Sequence, residues 1–560
     1  MQQISGAKMV IEALKKEDVE VVFGYPGGAI MNVYDEIYKQ NDFQHILSRH
    51  EQASIHSAEG YAKATGKVGV AMVTSGPGFT NAVTGLANAY ADSSPIVVIS
   101  GQVPMTLIGT DAFQEIDAVG ISRPCTKHNY LVTDAKDLPR IFKEAFYIAK
   151  SGRPGPVHID IPKDVTAQLA DFNYPDEVKL ETYKPTQKGN IRQIKKAVNA
   201  MAKAKRPLLY IGGGAIQSNS AELVRKLAEI GGIPAVETLM ARGVMGEENP
   251  LLIHMLGMHG SYAANMAMSE TDLVISLGAR FDDRVTGKLS EFAKNAEVIH
   301  IDVDPSSIGK LVDVDYPIVG DLNSVLEDMI PIAKEKLDSS IYSEWRETII
   351  NNNKLHPMGY DKGEVVKPQE VIESIGRVLG DDANISTDVG QHQMWSAQFY
   401  PFSRPRQFNT SGGLGTMGYG FPAAIGVKAG TPEKVSINVT GDGSILMNIQ
   451  ELMTAVEYKL PVINVILNNN YLGMVRQWQT LFYDDRISET DLTMQPDFVK
   501  VAESFGGIGY RVETIEEFEE ALKDAVEKNV VAIIDMKVDR RENVMPMVPA
   551  GGSLFNMMLK

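Results

Sequence analysis

The sequence has very little cysteine, and it lacks any long apolar run. Only Cys125 among its 560 residues is a cysteine, which excludes internal disulfides and thiolate metal cages and fits a reducing compartment. No stretch approaches the roughly 18 uninterrupted apolar residues that a membrane-spanning helix requires. The first residues show neither a cationic leader nor an apolar signal core. We therefore expect a cytoplasmic protein that has no membrane partner.

Positive charge is also scarce. The chain has 54 Lys and Arg residues against 71 Asp and Glu residues, which gives a formal net charge of −17. Because no block of basic residues reverses this balance locally, binding to nucleic acid through phosphate neutralisation is excluded. A hydrophobic content of 44% is ordinary for a globular enzyme, and the length exceeds what one hydrophobic core can organise.

Short β-branched strands alternate with helical patterns along the whole chain, and many strands end in a Gly or Pro turn, as in "VGVAMVTSGPG" and "PIVVISGQVP". This alternation predicts an α/β fold made of three doubly wound parallel-sheet domains. Ligands of such sheets lie at the carboxyl ends of the strands. The polar, proline-bearing stretches between the units place the predicted domains at residues 1–182, 190–340 and 365–548.

Two apolar runs of the third unit end in polar residues that suit a metal ion. "VSINVTGDG" places Asp442 between Gly441 and Gly443, and "PVINVILNNN" ends in asparagines that include Asn469. The segment between them predicts one βαβ unit, whose parallel strands bring Asp442 and Asn469 to the same sheet edge. A carboxylate and an amide oxygen suit a hard cation, and glycine-flanked amides at a helix start suit a diphosphate. The alternative is a capping Asp beside a turn-forming Asn.

"GDG" followed by "NN" after the next strand resembles the motif of thiamine diphosphate enzymes. The resemblance implies that Mg²⁺ is held by Asp442, Asn469 and the backbone carbonyl of Tyr471. It also implies that Glu51, in "RHEQ", is the carboxyl group that activates the cofactor. Read alone, Glu51 is a surface residue favoured by the dipole of its helix, and Glu59 lies on a packed or solvated helix face.

The resemblance extends over nearly the whole chain and points to one branch of that family. "GYPGGAIMNVYD", "IGTDAFQE", "GARFDDRVTGK", "SGGLGTMGYGFPAAIG" and "GMVRQWQ" follow one another in the order found in the catalytic subunits of acetohydroxyacid synthases, also called acetolactate synthases. Such enzymes decarboxylate pyruvate and condense the two-carbon unit with pyruvate or 2-oxobutyrate, in branched-chain amino-acid biosynthesis. The resemblance implies a homodimer or tetramer with interface active sites, and it allows a small regulatory subunit as a partner.

The resemblance also assigns roles near the reacting atoms. Gly28, Phe113 and Gln114 are expected to line the substrate site, and Lys163 to border its entrance. Met417 is expected to wedge the cofactor into a bent form, while Arg284 and Trp478 shape the pocket for the second 2-oxo acid. The remaining expected contacts to thiamine diphosphate are Val389, Gly390, Gln391, His392, Gly415, Gly441, Gly443, Ser444 and Met474. Taken singly, each glycine or apolar position is equally consistent with simple packing.

A second cofactor, FAD, is implied for the central unit. "YIGGGAI" alone is a weak dinucleotide pattern, because a strand-to-helix turn explains it equally well. The segments that resemble the family's flavin site contribute Arg153, Gly212, Gly213, Gly214, Thr238, Leu239, Met240, Gly257, Met258, His259, Gly278, Arg280, Asp282, Arg284, Asp302, Val303, Gly320 and Asp321. The flavin is expected to be structural, since the net reaction transfers no electrons.

Three other functions stay open from the sequence. One is a different thiamine-dependent carboligase or oxidase, which "RFDDR" and "QWQ" argue against. Another is a flavoprotein dehydrogenase that uses the central unit. The third is a non-catalytic binding subunit, which the presence of Glu51, Asp442 and Asn469 disfavours. Met105 and Thr106 depart from the basic residues of many relatives beside the substrate channel, so inhibitor sensitivity does not transfer by resemblance.

Overall fold

Three six-stranded sheets, each entirely parallel, organise residues 3–559, the part of the chain that the computed structural model describes. This confirms the predicted α/β fold with parallel sheets. The first predicted domain starts at Met1, which lies outside the described residues. The remaining domain borders stay a prediction.

The first sheet has the strand order β3-β2-β4-β5-β7-β6. Its central strands are buried on both faces, because Val70 and Met72 of one strand enter one hydrophobic core while Ala71 and Val73 enter the opposite one. The elements are β1 (Gln3–Ser5), α1 (Gly6–Lys16), β2 (Val21–Gly24), α2 (Met31–Tyr38), β3 (Gln44–Leu47), α3 (Glu51–Thr65), β4 (Gly69–Val73), α4 (Pro77–Ala91), β5 (Ile96–Gln102), α5 (Ala118–Ser122), β6 (His128–Leu131), α6 (Leu138–Lys150), β7 (Val157–Pro162), α7 (Lys163–Ala167) and β8 (Leu169–Asp171). Strands β1 and β8 form a separate antiparallel pair.

The central sheet has the order β11-β10-β9-β12-β13-β14. Its elements are α8 (Ile191–Met201), β9 (Pro207–Ile211), α9 (Gly214–Gln217), α10 (Ala221–Gly231), β10 (Ala235–Glu237), β11 (Leu252–Met255), α11 (Tyr262–Glu270), β12 (Leu273–Leu277), α12 (Asp283–Thr286), β13 (Glu297–Asp302), β14 (Tyr316–Val319), α13 (Leu322–Lys336) and α14 (Ser343–Leu355). The carboxyl ends of strands β9 and β12 lie side by side, so the glycines that follow these two strands lie at the same edge of the sheet.

The third sheet has the order β16-β15-β17-β18-β20-β19. Its elements are α15 (Pro368–Leu379), β15 (Ala383–Thr387), α16 (Gln391–Phe399), β16 (Phe408–Asn409), α17 (Gly420–Gly430), β17 (Val435–Gly441), α18 (Glu451–Glu457), β18 (Val462–Asn468), α19 (Gly473–Phe482), α20 (Phe498–Ser504), β19 (Ile508–Val512), α21 (Ile515–Lys528) and β20 (Ala532–Lys537). Strands β17 and β18 are direct neighbours, as the predicted βαβ unit requires.

Helices α3 and α17 join the first and third units in backbone contact. A Cβ atom at Gly60 would lie 2.2 Å from the Ala423 carbonyl oxygen, and one at Gly426 would lie 1.8 Å from that of Ser57. Only glycine permits such an approach. Apolar side chains of both units form one continuous core around this contact. Within residues 3–559, no helix is both long enough and apolar enough to cross a membrane.

Candidate active site

The two predicted metal ligands lie at neighbouring strand ends of the third sheet. Gly441 pairs with Leu467 at the ends of β17 and β18, so Asp442 and Asn469 leave the same edge. The Asp442 carboxylate accepts hydrogen bonds from the Gly443 amide (3.1 Å) and from the side-chain amide of Gln495. Burial raises the pKa of Asp442 to about 6. A cation beside this buried carboxylate would therefore be stabilising.

Asn469 is held in place on both sides. Its side-chain amide donates to Gln391 Oε1 (3.2 Å), and its Oδ1 atom accepts from the Tyr471 amide (3.0 Å). The ring of Tyr471 lies 4.5 Å from the Arg540 guanidinium, which fixes the turn that carries the Tyr471 carbonyl. No group of three or more His, Cys, Asp or Glu side chains suited to a metal occurs within residues 3–559. That finding is compatible with a ligand set of one carboxylate, one amide and one backbone oxygen.

The segment after "GDG" is a turn followed by a helix. The sequence predicts a turn and then an amphipathic helix, and the chain forms a 3₁₀ turn at Ile445–Met447 before α18 starts at Glu451. The Asn448 side chain donates to the Gly418 carbonyl oxygen (2.6 Å), which ties this segment to the neighbouring loop. The amides beside Asp442 therefore lead into a 3₁₀ turn and not directly into α18.

The start of α16 offers the features expected of a diphosphate site. Gly390 has a φ of +152°, and the next residues begin the helix, where free backbone amides favour an anion. His392 is buried, burial lowers its pKa to about 3, and its Nε2 atom has no partner among the described residues. The Ser444 hydroxyl donates to the Val389 carbonyl oxygen (3.4 Å). An unpartnered imidazole nitrogen and a carboxylate edge fit a metal-bound diphosphate.

Glu51 is the first residue of α3, at the carboxyl edge of the first sheet. Its Oε2 atom accepts a hydrogen bond from the Asn81 side chain (3.0 Å). Gly28, on another loop of this edge, has open space where a Cβ would lie. Gln114 has a φ of +61°, and Phe113 beside it is 88% exposed. These predicted substrate-site residues thus lie on one edge of the first unit.

A cavity of about 1380 Å³ lies between the central and third units, and residues of the first unit, among them Lys63 and Asp92, also line it. Sixteen of the eighteen predicted flavin-site residues line it: Arg153, Gly212, Gly213, Gly214, Thr238, Leu239, Met240, Met258, His259, Gly278, Arg280, Asp282, Arg284, Asp302, Val303 and Asp321. The other two, Gly257 and Gly320, lie behind the wall in close packing, the first against the Arg284 carbonyl and the second against Gly189. The central strand ends therefore form one continuous lining.

The same cavity reaches the third unit through Val389, Gly390, Gly415, Met474 and Trp478. The predicted flavin and thiamine diphosphate regions thus share one space. The remaining predicted residues do not line this cavity; most lie on the two sheet edges already described, and three lie elsewhere in the fold. Those three are Lys163, which is exposed at the start of α7, the half-buried Met417, and Gln391, whose amide also donates to Gln477 Oε1 (2.8 Å).

Four charged residues of the cavity wall lie at or just before the start of α12. Arg280 forms an ion pair with Asp282 (2.7 Å), whereas Arg284 approaches only Asp283, at 3.7 Å, and its side chain is 60% exposed. The Arg284 guanidinium is therefore available for another carboxylate. Burial lowers the pKa of His259 to about 4, so this wall residue is neutral near pH 7.

Sequence reasoning missed several residues that the structure brings to the site. Gln495 contacts Asp442, Asn468 Nδ2 donates to Gln495 Oε1 (2.9 Å), and Asp92 reaches the loop that carries Met417. No short motif contains these pairs, because their members lie far apart in the sequence. Only the fold places them in contact.

Comparison with known proteins matches this geometry unit by unit. Family models describe the N-terminal TPP binding domain of thiamine pyrophosphate enzymes at residues 4–121, the central domain at 194–329 and the C-terminal TPP binding domain at 388–536. The fold, the paired strand ends and these matches define a thiamine pyrophosphate enzyme.

Relatives that match this chain over its full length show to which family of thiamine pyrophosphate enzymes it belongs. The acetolactate synthase large subunit of Haemophilus influenzae is 49% identical over 567 residues, covering 100% of this chain and 99% of its own. The acetolactate synthase isozyme 3 large subunit of Escherichia coli K12 is 47% identical, with 100% and 99% covered. A probable acetolactate synthase large subunit of Methanocaldococcus jannaschii is 48% identical, with 99% and 95% covered. The chain belongs to the acetolactate synthase large-subunit family.

Proposed function

We propose that this chain is the catalytic subunit of an acetolactate synthase. It decarboxylates pyruvate and joins the remaining two-carbon unit to the carbonyl carbon of a second pyruvate, giving 2-acetolactate, or of 2-oxobutyrate, giving 2-aceto-2-hydroxybutyrate. The reaction belongs to valine and isoleucine biosynthesis. The observation that carries this proposal is the presence of Asp442 and Asn469 at adjacent strand ends in a chain related over its full length to acetolactate synthases.

The third unit would hold the cofactor. Asp442, Asn469 and the Tyr471 carbonyl would bind Mg²⁺, while the amides around Gly443 and the free His392 nitrogen would contact the diphosphate. When bound, thiamine diphosphate supplies a carbon nucleophile and an electron sink for the loss of CO₂. Glu51 would exchange a proton through its carboxyl group with the aminopyrimidine ring.

The second 2-oxo acid would be held from the cavity side. The exposed Arg284 guanidinium would receive its carboxylate in a two-point contact. The indole of Trp478 would contact the alkyl group, and the walls formed by the central and third units would exclude water from the reacting atoms. Side chains thus orient the substrates.

Trp478 provides a test of substrate selection. Its ring packs edge to face on Phe482, with centroids 5.5 Å apart, and it lines the cavity. We expect Trp478→Leu to lower the preference for 2-oxobutyrate over pyruvate by about tenfold, because one methylene in an apolar pocket is worth at least that much. The measurement is the product ratio when both acids compete.

Tyr38→Leu is the matched control for this change. Tyr38 is the last residue of α2, its side chain is 91% exposed and it does not line the cavity, so its truncation should leave the product ratio close to that of the unaltered chain. An unchanged ratio in Trp478→Leu would remove Trp478 from the specificity pocket.

The glycine-lined strand ends of the central unit support FAD as an occupant of the cavity. We expect the purified chain to be yellow and to hold about one flavin per chain. We also expect Gly278→Ala to lose flavin, because Gly278 has a φ of +64° and a Cβ there would lie 2.7 Å from the Gly214 Cα atom. Flavin absorbance of the desalted protein measures the effect.

Gly359→Ala is the control for the flavin experiment, since no atom lies within 4 Å of the Cβ position at Gly359. It should retain as much flavin as the unaltered chain. A colourless unaltered chain, free of bound FAD, would instead favour a flavin-free acetolactate synthase.

The exposure of the first unit's edge supports a dimer with shared active sites. Phe113, Met31 and Tyr25 are 88%, 50% and 38% exposed around the predicted substrate site. Such an apolar edge is typical of a surface that another protomer covers. The relatives are named large subunits, so a small regulatory subunit is a further proposed partner.

One assay tests the proposed function as a whole. Acetolactate formation from pyruvate is measured with Mg²⁺, thiamine diphosphate and FAD each omitted in turn from protein stripped of cofactors. We expect activity to need all three. Reduction of bound flavin by pyruvate at the catalytic rate, without acetolactate, would contradict the proposal and indicate a redox flavoprotein.

A further inference from the structure

A buried charged cluster lies where the first unit meets the third. We call Glu59, Lys63, Asn88 and Asp92 the anchor cluster. Lys63 Nζ donates to Asp92 Oδ2 (2.7 Å) and lies 2.9 Å from Glu59 Oε1, and Asn88 donates to Glu59 (2.8 Å). The side chains of Glu59, Lys63 and Asp92 are 0%, 7% and 1% exposed. The sequence predicts for Glu59 only a position on a packed or solvated helix face.

The anchor cluster reaches across to residues 410–418 of the third unit, which we call the wedge loop because it carries Met417. Asp92 accepts hydrogen bonds from the backbone amides of Gly413 (2.6 Å) and Gly412 (3.2 Å). Lys63 Nζ donates to the Thr410 carbonyl oxygen (2.7 Å). The ammonium also lies 4.8 Å from the ring centroid of Tyr419, directly after the loop.

Asn88 adds a second set of contacts to the wedge loop. Its Oδ1 atom accepts from the hydroxyls of Ser411 (2.5 Å) and Thr416 (2.9 Å). At the far end of the loop, the Gly418 amide donates to Asp388 Oδ1 (2.7 Å). Other residues of the third unit also hold the ends of the loop, because Gln393 donates to Thr410 and Ser411 and the Asn448 side chain donates to Gly418. Residues of the first unit supply the contacts to Gly412, Gly413 and Thr416 between these ends.

The free-energy cost of burying the Asp92 carboxylate couples the position of the wedge loop to the anchor cluster. A buried carboxylate is tolerated only when a counter-charge and hydrogen-bond donors surround it. Burial alone would lower the pKa of Lys63, but Asp92 and Glu59 raise it well above its usual range, so the ammonium stays charged. The two glycine amides supply the remaining donors to Asp92. Moving the loop would leave that carboxylate under-satisfied.

The middle of the loop is rich in glycine. Gly412, Gly413 and Gly415 give it wide backbone freedom, and Gly415 has a φ of +74°. Its residues Gly412 to Gly415 line the cavity that the predicted cofactor regions share. The position of this surface thus depends on contacts made outside the third unit.

We propose that Asp92 is a positioning residue for the thiamine diphosphate site: through the amides of Gly412 and Gly413 it holds the wedge loop where Met417 supports the cofactor. The inference rests on the proposed function for the identity of that cofactor. Asp92 also lines the shared cavity, but in this assignment it acts on the thiamine diphosphate site through the loop.

The test uses Asp92→Asn in the full chain. An amide has one acceptor oxygen, so its NH₂ group must face either Lys63 or a glycine amide, all of which are donors. We expect faster hydrogen exchange of residues 410–418 in the cofactor-free protein. We also expect the dissociation constant for thiamine diphosphate with Mg²⁺, measured by fluorescence quenching, to rise roughly 10- to 100-fold, the range for hydrogen bonds to charged groups.

Glu144→Gln is the matched control. Glu144 is a largely buried carboxylate on α6, paired with Arg140 and Tyr130, and it has no contact with the wedge loop. It should alter neither the exchange of residues 410–418 nor the affinity for the cofactor, even where it lowers the melting temperature. A loss of affinity in both variants would show general destabilisation and overturn the proposal.

Thr416→Val provides a second test of the proposal if Asp92→Asn does not fold. It removes one hydrogen bond between the loop and Asn88 without disturbing a buried charge, so it should weaken cofactor binding in the same direction but less. Unchanged affinity in Asp92→Asn, or in Thr416→Val where the former does not fold, would overturn the proposal. Failure of the unaltered chain to bind thiamine diphosphate would instead refute the proposed function.

Discussion

Asp442→Ala should abolish acetolactate formation. Asp442 is the single carboxylate of the predicted metal site, and its removal leaves two neutral oxygens to hold a divalent ion. Loss of an outer partner of a metal ligand typically costs roughly 10- to 100-fold in affinity, and loss of the charged ligand itself should cost more. The measurements are turnover with excess Mg²⁺ and thiamine diphosphate, and calorimetric titration of the cofactor.

Asp524→Ala is the control for this experiment. Asp524 is an exposed carboxylate of α21 that is paired with Lys528 (2.6 Å) and is not among the predicted site residues. It should bind the cofactor and turn over as the unaltered chain does. Full activity in Asp442→Ala would refute the metal assignment and, with it, the position of the diphosphate.

Glu51→Gln should lower the turnover number by roughly 10²- to 10⁴-fold, the range that general acid–base groups contribute. The amide keeps the size of the side chain and can still accept from Asn81, but it cannot give up or take a proton at neutral pH. Binding of thiamine diphosphate should change little, because Asp442 and Asn469 remain. Glu12→Gln, on the surface of α1, is the control and should leave turnover intact.

Mixing the two inactive variants tests the shared active site. If Glu51 of one protomer serves the Asp442 of the other, a heterodimer of Glu51→Gln and Asp442→Ala has one intact site. Random assortment should then restore about a quarter of the activity of the unaltered protein. No recovery after proven subunit exchange would contradict the interface site, and unchanged turnover of Glu51→Gln alone would remove Glu51 from the mechanism.

The strand ends were predictable from the sequence because they depend on short-range patterns. An apolar run that stops at "GDG" or "NNN" marks a strand end, and the parallel order of β17 and β18 follows from the single helix between them. The alternation of strands and helices likewise gave three parallel sheets. The resemblance added residue roles that the pattern alone could not assign.

The anchor cluster and the contact of Gln495 with Asp442 could not be predicted in this way. Lys63 and Thr410 belong to different units, and their contact exists only because α3 and α17 meet at glycines. The hydrogen bond from the Asn448 side chain to Gly418, just before α18, likewise joins two segments that are distant in the sequence. Long-range contacts of this kind leave no period in the sequence.

The close packing of α3 on α17 at Gly60 and Gly426 also limits how the units of the enzyme can move relative to one another. The backbones of the two helices are in contact, so no layer of side chains lies between them that would let one helix slide over the other. The first and third units should therefore move as a single rigid body. Conformational changes during each catalytic cycle would then be confined to segments at the edge of this rigid body, such as the stretch around Phe113. Spin labels on Tyr38 and Lys523 should report one constant separation throughout turnover.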